Sequence, residues 1–389
     1  MTRSRDFSKI LGRSITNDTF SATGSITPLS VTSYDYDSAG QLQALNNSSL
    51  VDGSLHYLSK TKQLYVWDDS DNSYYPIDQS ASALPEPYKF QGTVSGYASG
   101  GHPPARDIIE KFSFTSDANA TDVGNLLGGT YGPAGNSSST HGYASGGRDP
   151  VNAYSNVIQK FSFTVDENAT DVGDLTTTIN LACGNSSEFY GYVSTGWSDA
   201  LPPPGNSNII EKFPFATDTN ATDVGDAIAT KRGVSGQSST THGYHSGGLG
   251  AAYTTDINKF PFATDANATD VGDTTGGRGQ GTGQSSTTNG YTAGGIAPTL
   301  GPPAYTNALE KFPFATDTNA SDVGDLSTAH ALVPAGQSST SSGYTSGGND
   351  PTAGGDLNVI DKFPFATDAN ATDVGDLTLA RRYLAGHQV

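Results

Sequence analysis

The sequence contains little sulfur, few basic residues and no long apolar run. Of its 389 residues, one is cysteine and one is methionine, and 20 Lys and Arg stand against 39 Asp and Glu. The lone Cys183 excludes a disulfide framework and a thiolate metal site. No segment approaches the roughly 20 apolar residues of a membrane span, and residues 1–13 lack the apolar core of a secretory signal. We therefore predict synthesis in the cytoplasm of a cell and no membrane insertion.

The shortage of basic residues also bears on partners. The formal net charge is −19 and the pI is about 4.5. Because phosphate backbones would be repelled and no basic stripe is present, we predict no nucleic-acid binding. Hydrophobic residues make up 34% of the chain, and 47 residues are glycine. This composition suits short strands joined by many turns.

The chain is dominated by an internal repeat. A segment typified by residues 208–248, NIIEKFPFATDTNATDVGDAIATKRGVSGQSSTTHGYHSGG, recurs with substitutions from about residue 94 to the C-terminus. Six copies are marked by the tyrosine of a Gly-Tyr pair, at spacings of 46, 49, 52, 47 and 53 residues: Tyr97, Tyr143, Tyr192, Tyr244, Tyr291 and Tyr344. A period near 50 made of short β segments predicts a radial array whose units bury their apolar residues only against neighbours.

Alternation and turn residues divide each copy into four strands. In the fourth copy the predicted strands are residues 234–240, 243–246, 257–262 and 269–274. A Gly-Gly pair closes the second strand in five copies, and Thr195 with Gly196 takes its place in the third. Glycine allows the positive φ that a chain leaving a crowded inner strand needs. Each copy is therefore predicted to be one four-stranded sheet.

Four copies carry a proline between the two phenylalanines of the third strand: Pro214, Pro261, Pro313 and Pro364. Proline lacks the amide that an internal strand uses in its ladder. We expect either a bulge at this point or a fourth strand too short to need the donor.

These features resemble the repeat of Kelch-family β-propellers. That repeat has a Gly-Gly pair ending the second strand, an aromatic residue in the third and an apolar residue in the fourth. The matching residues here are the Gly-Gly pairs, phenylalanine pairs such as Phe213 and Phe215, and six valines: Val123, Val172, Val224, Val271, Val323 and Val374. The match covers about three quarters of the chain. It implies an all-β fold, a six-bladed Kelch-like β-propeller of four-stranded blades over residues 89–389.

The C-terminus contains a strand that the first copy lacks. Residues 382–389 align with residues 232–239 and the chain then stops, whereas residues 96–101 have little first strand before them. We predict that the C-terminal segment forms the innermost strand of the first blade. Closure of this kind leaves no long open sheet edge.

Residues 1–88 are predicted to be a separate region. Residues 55–67, LHYLSKTKQLYVW, alternate on both sides of a break and predict a β-hairpin, with residues 73–77 as a third strand. A linker of Ser, Ala and Pro follows at residues 80–87. The segment LVDGSLHYLSKTKQLYVWD, residues 50–68, resembles a module near the N-termini of virion structural proteins and tail fibres of tailed phages, especially marine cyanophages.

The phage resemblance implies a virion appendage, located in the virion after synthesis in the host cytoplasm. Residues 1–88 would dock to other virion proteins, and the propeller would be a spacer or a head that contacts a host-surface glycan or protein. No enzymatic activity and no cofactor come with the resemblance. Appendages are often symmetric oligomers, and no coiled-coil heptad points to a trimer.

Three sets of residues contain side chains of the types that bind metals, carry glycans or catalyse reactions. An acidic turn joins the third and fourth strands of each copy, for example residues 218–226, and it resembles a calcium loop. After Asp218 and Asn220, however, the next carboxylate is Asp223, five residues on instead of four, so hairpin geometry is the simpler interpretation. The Asn-x-Ser/Thr sequons in these turns are interpreted as turn residues and not as glycan acceptors. His141 and His242 precede the Gly-Tyr pair in only two copies, and Cys183 has no matched histidine pair. We predict no catalytic set and no metal site.

The loops that follow the Gly-Gly pairs vary in length, whereas the turns on the opposite face are nearly identical in all copies. These loops carry four aromatic residues: Trp197, Tyr154, Tyr253 and Tyr305. Variable loops on a rigid scaffold are common recognition sites, and aromatic side chains can stack on sugars or pack against protein. We predict that these four residues belong to a recognition or docking face. The alternative to a non-enzymatic virion appendage is a carbohydrate-active or oxidative enzyme built on the propeller.

Overall fold

The computed structural model describes residues 31–34, 55–58, 63–68, 73–76, 90–298, 304–352 and 354–389. The chain forms two compact units, Met1–Pro87 and Tyr88–Val389. Every element of the described residues is a β-strand. These residues include no helix that is long and apolar enough to cross a membrane.

The first unit contains a four-stranded sheet. Its strand order is Val31–Tyr34, Leu55–Leu58, Gln63–Asp68 and Ser73–Pro76. The predicted hairpin pairs Leu55 with Val66 in antiparallel fashion, and the predicted third strand follows it. A parallel strand, Val31–Tyr34, joins the hairpin on its other side and was not predicted. The linker at residues 80–87 and the rest of the phage-like segment, residues 50–54 and 59–62, lie outside the described residues.

The second unit is a six-bladed β-propeller of four-stranded antiparallel blades, as predicted. From the axis outward, the strands of each blade are called inner, second, third and outer. In blade 1 they are Ala385–Gln388, Ser95–Ser99, Arg106–Ser113 and Thr121–Thr130. In blade 2 they are Ala134–Ser137, His141–Ser145, Val157–Ser162 and Thr170–Asp174. In blade 3 they are Cys183–Ser186, Tyr190–Ser194, Gly205–Pro214 and Thr222–Lys231.

The remaining blades repeat this plan. In blade 4 the strands are Ser235–Ser238, His242–Ser246, Thr254–Pro261 and Thr269–Arg278. In blade 5 they are Thr282–Ser285, Asn289–Ala293, Ala308–Pro313 and Ser321–Asp325. In blade 6 they are Ala335–Ser338, Ser342–Ser346, Val359–Pro364 and Thr372–Asp376. Short extra strands occur in two loops, Trp197–Ser198 in blade 3 and Asn349–Asp350 with Gly355–Asp356 in blade 6.

The C-terminal segment closes the ring, which confirms the sequence prediction. Ala385 pairs with Ser99 and His387 with Tyr97, both in antiparallel register. The amide of Val389 donates to the carbonyl of Ser95 at 3.0 Å. Blade 1 is therefore built from both ends of the propeller, and its inner strand is supplied last.

A ring of six glycines lies at the axis, one from each inner strand: Gly135, Gly184, Gly236, Gly283, Gly336 and Gly386. A Cβ atom on Gly184 would lie 1.9 Å from the carbonyl oxygen of Gly135, and a Cβ on Gly386 would lie 2.1 Å from that of Gly336. The inner strands are thus in backbone contact, and only glycine permits this approach. The axial cavity that remains has a volume of about 70 Å³.

The apolar core lies between neighbouring blades. The ring of Tyr97 in blade 1 lies 5.8 Å from Phe161 and 4.8 Å from Phe163 in blade 2, measured between centroids. The same contact recurs around the ring and closes with Tyr344 of blade 6 against the Phe pair of blade 1. The tyrosines of the Gly-Tyr pairs are thus core residues, a role that the sequence analysis did not assign. The valines of the outer strands pack against this core but are only partly buried.

The third-strand prolines cause no bulge. Pro214 is the last residue of its strand and lies opposite Tyr190 of the second strand. Pairing with the outer strand ends two residues earlier, at Lys212 and Thr222. The ladder therefore needs no amide at Pro214, which confirms the second of the two alternatives. The register shifts of this strand lie between Ser207 and Ile209 and between Ile210 and Glu211 instead.

Candidate functional site

The propeller has two faces with different connections. The turn face contains the six tight turns between inner and second strands and the six acidic turns between third and outer strands. The loop face contains the six loops between second and third strands and the six connections from an outer strand to the next inner strand. The chain enters the propeller at the turn face, where Gln388 donates its side-chain amide to the carbonyl of Phe90 at 3.0 Å. Phe90 also lines the axial cavity there.

On the turn face, identical side chains join each blade to the next. Lys111 of blade 1 pairs with Asp166 of blade 2 at 2.7 Å, and Lys362 of blade 6 closes the ring on Asp117 of blade 1 at 2.8 Å. The four ion pairs between them are Lys160 with Asp218, Lys212 with Asp265, Lys259 with Asp317 and Lys311 with Asp368. The acidic turn therefore serves as a clamp between blades, in addition to closing its own hairpin.

The sequon asparagines take part in the same clamp. The side-chain oxygen of Asn220 accepts the backbone amide of Asp174 in the preceding blade at 3.1 Å. Asn119 accepts that of Asp376 at 3.1 Å and so closes the ring. In the described residues, no three His, Cys, Asp or Glu side chains are grouped to hold a metal ion.

On the loop face, backbone hydrogen bonds join the blades. The outer-to-inner connections form a ring around the mouth of the channel, called here the mouth ring: Gly132, Leu181, Gly233, Gln280, Val333 and Tyr383. The amide of Leu181 donates to the carbonyl of Gly132 at 3.0 Å, and the amide of Gly132 donates to that of Tyr383 at 2.8 Å. All six have φ between 56° and 68°, a left-handed conformation uncommon for Leu, Gln, Val and Tyr. Backbone strain of this kind is typical of functional sites.

Outside the mouth ring, the loop-face backbone repeats but its side chains do not. Each connection forms an isolated antiparallel bridge with the loop of the following second strand: Tyr131 with Arg148, Asn180 with Trp197, Arg232 with Leu249, Gly279 with Ile296, Ala331 with Asn349, and Arg382 with His102. These six bridges are equivalent in position, yet no two carry the same pair of residues. The loop face therefore combines a regular frame with an individual set of side chains in each blade.

The four predicted residues do not form one cluster. Tyr154, Tyr253 and Tyr305 occupy equivalent positions, each bridged to the residue after its Gly-Gly pair in blades 2, 4 and 5. Trp197 occupies the position of Arg148 instead, and its ring lies 4.9 Å from that of Tyr154. The structure thus brings Trp197 and Tyr154 together, whereas Tyr253 packs beside Gly279 in a neighbouring blade.

Trp197 and Tyr154 line a cleft between blades 2, 3 and 4. Its volume is about 280 Å³, and its other lining residues are Arg148, Asn180, Leu181 and Arg232. Burial raises the pKa of Tyr154, and the nearby charge of Arg148 opposes that shift. Two aromatic rings and two guanidinium groups therefore share one half-buried cleft.

The two arginines are held by neutral groups. The guanidinium carbon of Arg148 lies 4.2 Å from the centroid of Tyr154 and 5.9 Å from that of Tyr131. Arg232 donates to the side-chain oxygen of Asn206 at 3.0 Å. Within the part of the chain that the structure describes, no carboxylate pairs with either arginine, whereas Arg382, equivalent to Arg232, pairs with Asp356 at 2.8 Å. The cleft thus presents positive charge on a protein of net charge −19.

The sequence analysis missed both arginines of this cleft as site residues. Arg148 directly follows a Gly-Gly pair, the place that Trp197 takes in the next blade, so position within the repeat could have identified it. Cys183 is buried and its thiol is free. It lies on an inner strand, and burial raises the pKa of its thiol to about 12.

No protein-family model and no curated protein matches this sequence.

Proposed function

We propose that the protein is a non-enzymatic structural protein of a phage virion, a tail fibre or similar appendage, whose loop face recognises a host-surface glycan or docks to a protein. The observation that carries this proposal is the contrast between the faces. The same side chains recur in all six blades where they join the blades, and they differ between blades on the loop face. A scaffold that holds its loops through the backbone leaves loop side chains available for recognition.

The composition of the cleft favours binding over chemistry. Its lining residues are arginine, tyrosine, asparagine, leucine and tryptophan. General acid–base and nucleophilic catalysis mostly use carboxylates, imidazoles and thiols, and glycoside hydrolysis usually needs a pair of carboxylates. Aromatic rings and guanidinium groups, in contrast, are common in recognition surfaces. A binding cleft accounts for this set better than the carbohydrate-active or oxidative enzyme does.

The virion assignment rests on the resemblance of residues 50–68 to N-terminal modules of phage virion proteins. In this proposal residues 1–88 attach the chain to other virion proteins, and the propeller is the head. Assembly as an oligomer is compatible with the proposal.

Two measurements on the full chain test the proposal. Mass spectrometry of purified phage particles should detect the chain, and gold-labelled antibodies against it should mark an appendage in electron micrographs. Fluorescently labelled protein should bind host cells, and loop-face substitutions should reduce that binding more than turn-face substitutions. Absence of the chain from the particles would overturn the virion role. Hydrolysis or oxidation of a host glycan by the purified chain would overturn the non-enzymatic role.

A further inference from the structure

The cleft of Arg148, Tyr154, Asn180, Leu181, Trp197 and Arg232 has a chemistry that narrows its ligand. We propose that it binds one anionic monosaccharide unit, with the sugar ring against the aromatic side chains and its carboxylate or sulfate group on the two arginines. This inference deepens the proposed recognition function and rests on it for its biological meaning. The binding chemistry itself is independent of where the protein is located.

The size of the cleft fits a single sugar unit. Sites for drug-sized ligands have volumes of roughly 300–1,000 Å³. At about 280 Å³, this cleft lies just below that range. A monosaccharide has the matching size, and a longer glycan would place only one unit inside and extend over the rest of the loop face.

The aromatic residues provide a surface for the apolar side of a sugar ring. Trp197 and Tyr154 are both half-buried, and their ring planes are inclined by 31°. Their backbones are anchored by bridges, Trp197 to Asn180 and Tyr154 to Arg148. Rigid aromatic side chains lose little conformational entropy on binding, which favours affinity for a small ligand.

The two arginines of the cleft favour a ligand with a negatively charged group. The guanidinium of Arg148 is restrained between two tyrosine rings, and its Nε atom is buried without a hydrogen-bond partner. Arg232 uses one nitrogen on Asn206, a neutral partner. Guanidinium groups bind carboxylates and sulfate-like oxyanions through paired hydrogen bonds, and the fixed fork of Arg148 is suited to this.

Among the described residues, the acidic groups near the cleft form no ion pair with its two arginines. Asp149 accepts the backbone amides of Val151 and Ala153 within its own loop, at 2.9 and 2.8 Å. Asp199 accepts the hydroxyl of Thr178 at 2.9 Å. Because both carboxylates have local partners, an incoming anion meets the arginines without displacing an ion pair. An uncharged sugar would leave both guanidinium groups without an anionic partner.

The test measures binding of small sugars to the full chain by saturation-transfer NMR and calorimetry. Methyl glucuronide and glucose 6-sulfate are the anionic probes, and methyl glucoside is the neutral counterpart. We expect at least one anionic sugar to bind about tenfold more tightly than the glucoside, the ratio that one charge-assisted hydrogen bond provides. The two anionic probes distinguish a carboxylate from a sulfate ligand. Equal binding of all three sugars, or no binding, would overturn the inference.

Substitutions locate the binding site. Arg232→Gln and Arg148→Gln should each weaken binding of the anionic sugar about tenfold, and Trp197→Ala should weaken binding of every sugar. Arg382→Gln is the matched control, because Arg382 occupies the position of Arg232 in blade 6 but is already paired with Asp356. It should leave the affinity unchanged. A loss with Arg382→Gln as large as that with Arg232→Gln would contradict the assignment.

Two further arms complete the design. If Arg148→Gln fails to fold, Arg148→Lys keeps the charge but removes the fork, and the same loss is expected. A glutamate-rich peptide that binds the cleft more tightly than either anionic sugar would overturn the saccharide assignment in favour of a protein partner. If the full chain binds host cells but anionic sugars do not compete, this inference fails while the proposed recognition function stands. If the sugars bind but phage particles lack the chain, the virion role fails while the site stands.

Discussion

The turn face and the loop face are built on the same strands, yet they hold the blades together by different means. On the turn face every blade contributes the same lysine, aspartate and asparagine, and each contacts the neighbouring blade through its side chain. On the loop face the contacts that repeat are backbone hydrogen bonds, such as that from Leu181 to Gly132. The side chains at the six equivalent bridges there are all differently paired.

This difference indicates which face is free to vary. Where side chains form the contact between two blades, a substitution in one copy removes that contact. Where backbone hydrogen bonds form the contact, most side chains can change without breaking it, because each residue other than proline carries the same backbone donor and acceptor. The two faces thus separate the tasks of holding the ring together and of contacting a ligand.

The largest effect on stability is expected at the axis of the propeller, which runs from one face to the other. Gly184→Ala places a Cβ atom 1.9 Å from the carbonyl oxygen of Gly135, a backbone atom that cannot rotate away. We expect a loss of about 3 kcal/mol or more in the free energy of unfolding, measured by urea denaturation, because overpacking in a rigid ring cannot relax locally. Gly128→Ala is the control, since a Cβ there meets nothing within 4 Å. Its stability should stay within about 1 kcal/mol of wild type, and equal losses would contradict the close-contact explanation.

An intermediate effect is expected at the interface between blades 2 and 3. Glu211 is buried, and its carboxylate accepts the backbone amide of Thr176 at 2.5 Å. At two of the equivalent interfaces a buried arginine pairs with the glutamate, Arg381 with Glu110 and Arg278 with Glu310, but here the matching residue is Ile179. Burial raises the pKa of Glu211, and nearby Asp223 adds to the shift. The ionised form is therefore less favourable in the folded protein than in the unfolded chain.

The pH dependence follows from that direction. With a folded pKa above the unfolded value, the destabilisation is absent at pH values below the unfolded pKa and grows as the pH rises towards the folded pKa. Glu211→Gln keeps an acceptor for Thr176 and should raise the melting temperature at pH 7 but not at pH 3.5. The reciprocal Gln159→Glu, at the same position in blade 2, should lower it at pH 7. A stabilisation by Glu211→Gln that is equal at both pH values would rule out the ionisation mechanism.

The smallest effect is expected on the turn face. Lys259 pairs with Asp317 at 2.6 Å, but the aspartate side chain is 56% exposed, so water and salt screen the attraction. Lys259→Met should cost at most about 1 kcal/mol in the free energy of unfolding, and less at 1 M salt. Lys259→Met should leave sugar binding unchanged. Trp197→Ala should weaken sugar binding and leave the free energy of unfolding nearly unchanged. A turn-face substitution that abolished binding would remove the functional distinction between the faces.

Much of the fold could be predicted from local chemistry. The number of blades followed from the recurrence of the Gly-Tyr pair, and the closure followed from the alignment of residues 382–389 with residues 232–239. Both depend on patterns that each copy carries within about 50 residues of chain. For the third-strand prolines the sequence left two interpretations, a bulge or a short outer strand. The length of the outer strand decides between them, because it determines whether the ladder needs an amide at the proline.

The candidate site was only partly predictable. Tyr154 and Trp197 were selected as loop aromatics, but the contact between their rings joins the loops of blades 2 and 3. The cleft that they line also includes Arg232, from the connection between blades 3 and 4. In the sequence Arg232 and Arg382 look alike, and the ion pair with Asp356 distinguishes them only in the structure.

The sequence by itself determined the β architecture, the number of blades and the strand that completes the first blade. The first two follow from hydrogen bonding and turn chemistry between residues close together in each repeat. The third follows because the two ends of the propeller each carry one part of the same repeat. Only the tertiary structure decided which side chains meet across blades: the tyrosine against the next phenylalanine pair, the lysine on the next acidic turn, and the two arginines without a carboxylate. The physical reason is that six similar copies offer many equivalent partners, and the choice between them is made by the packing of one blade on its neighbour.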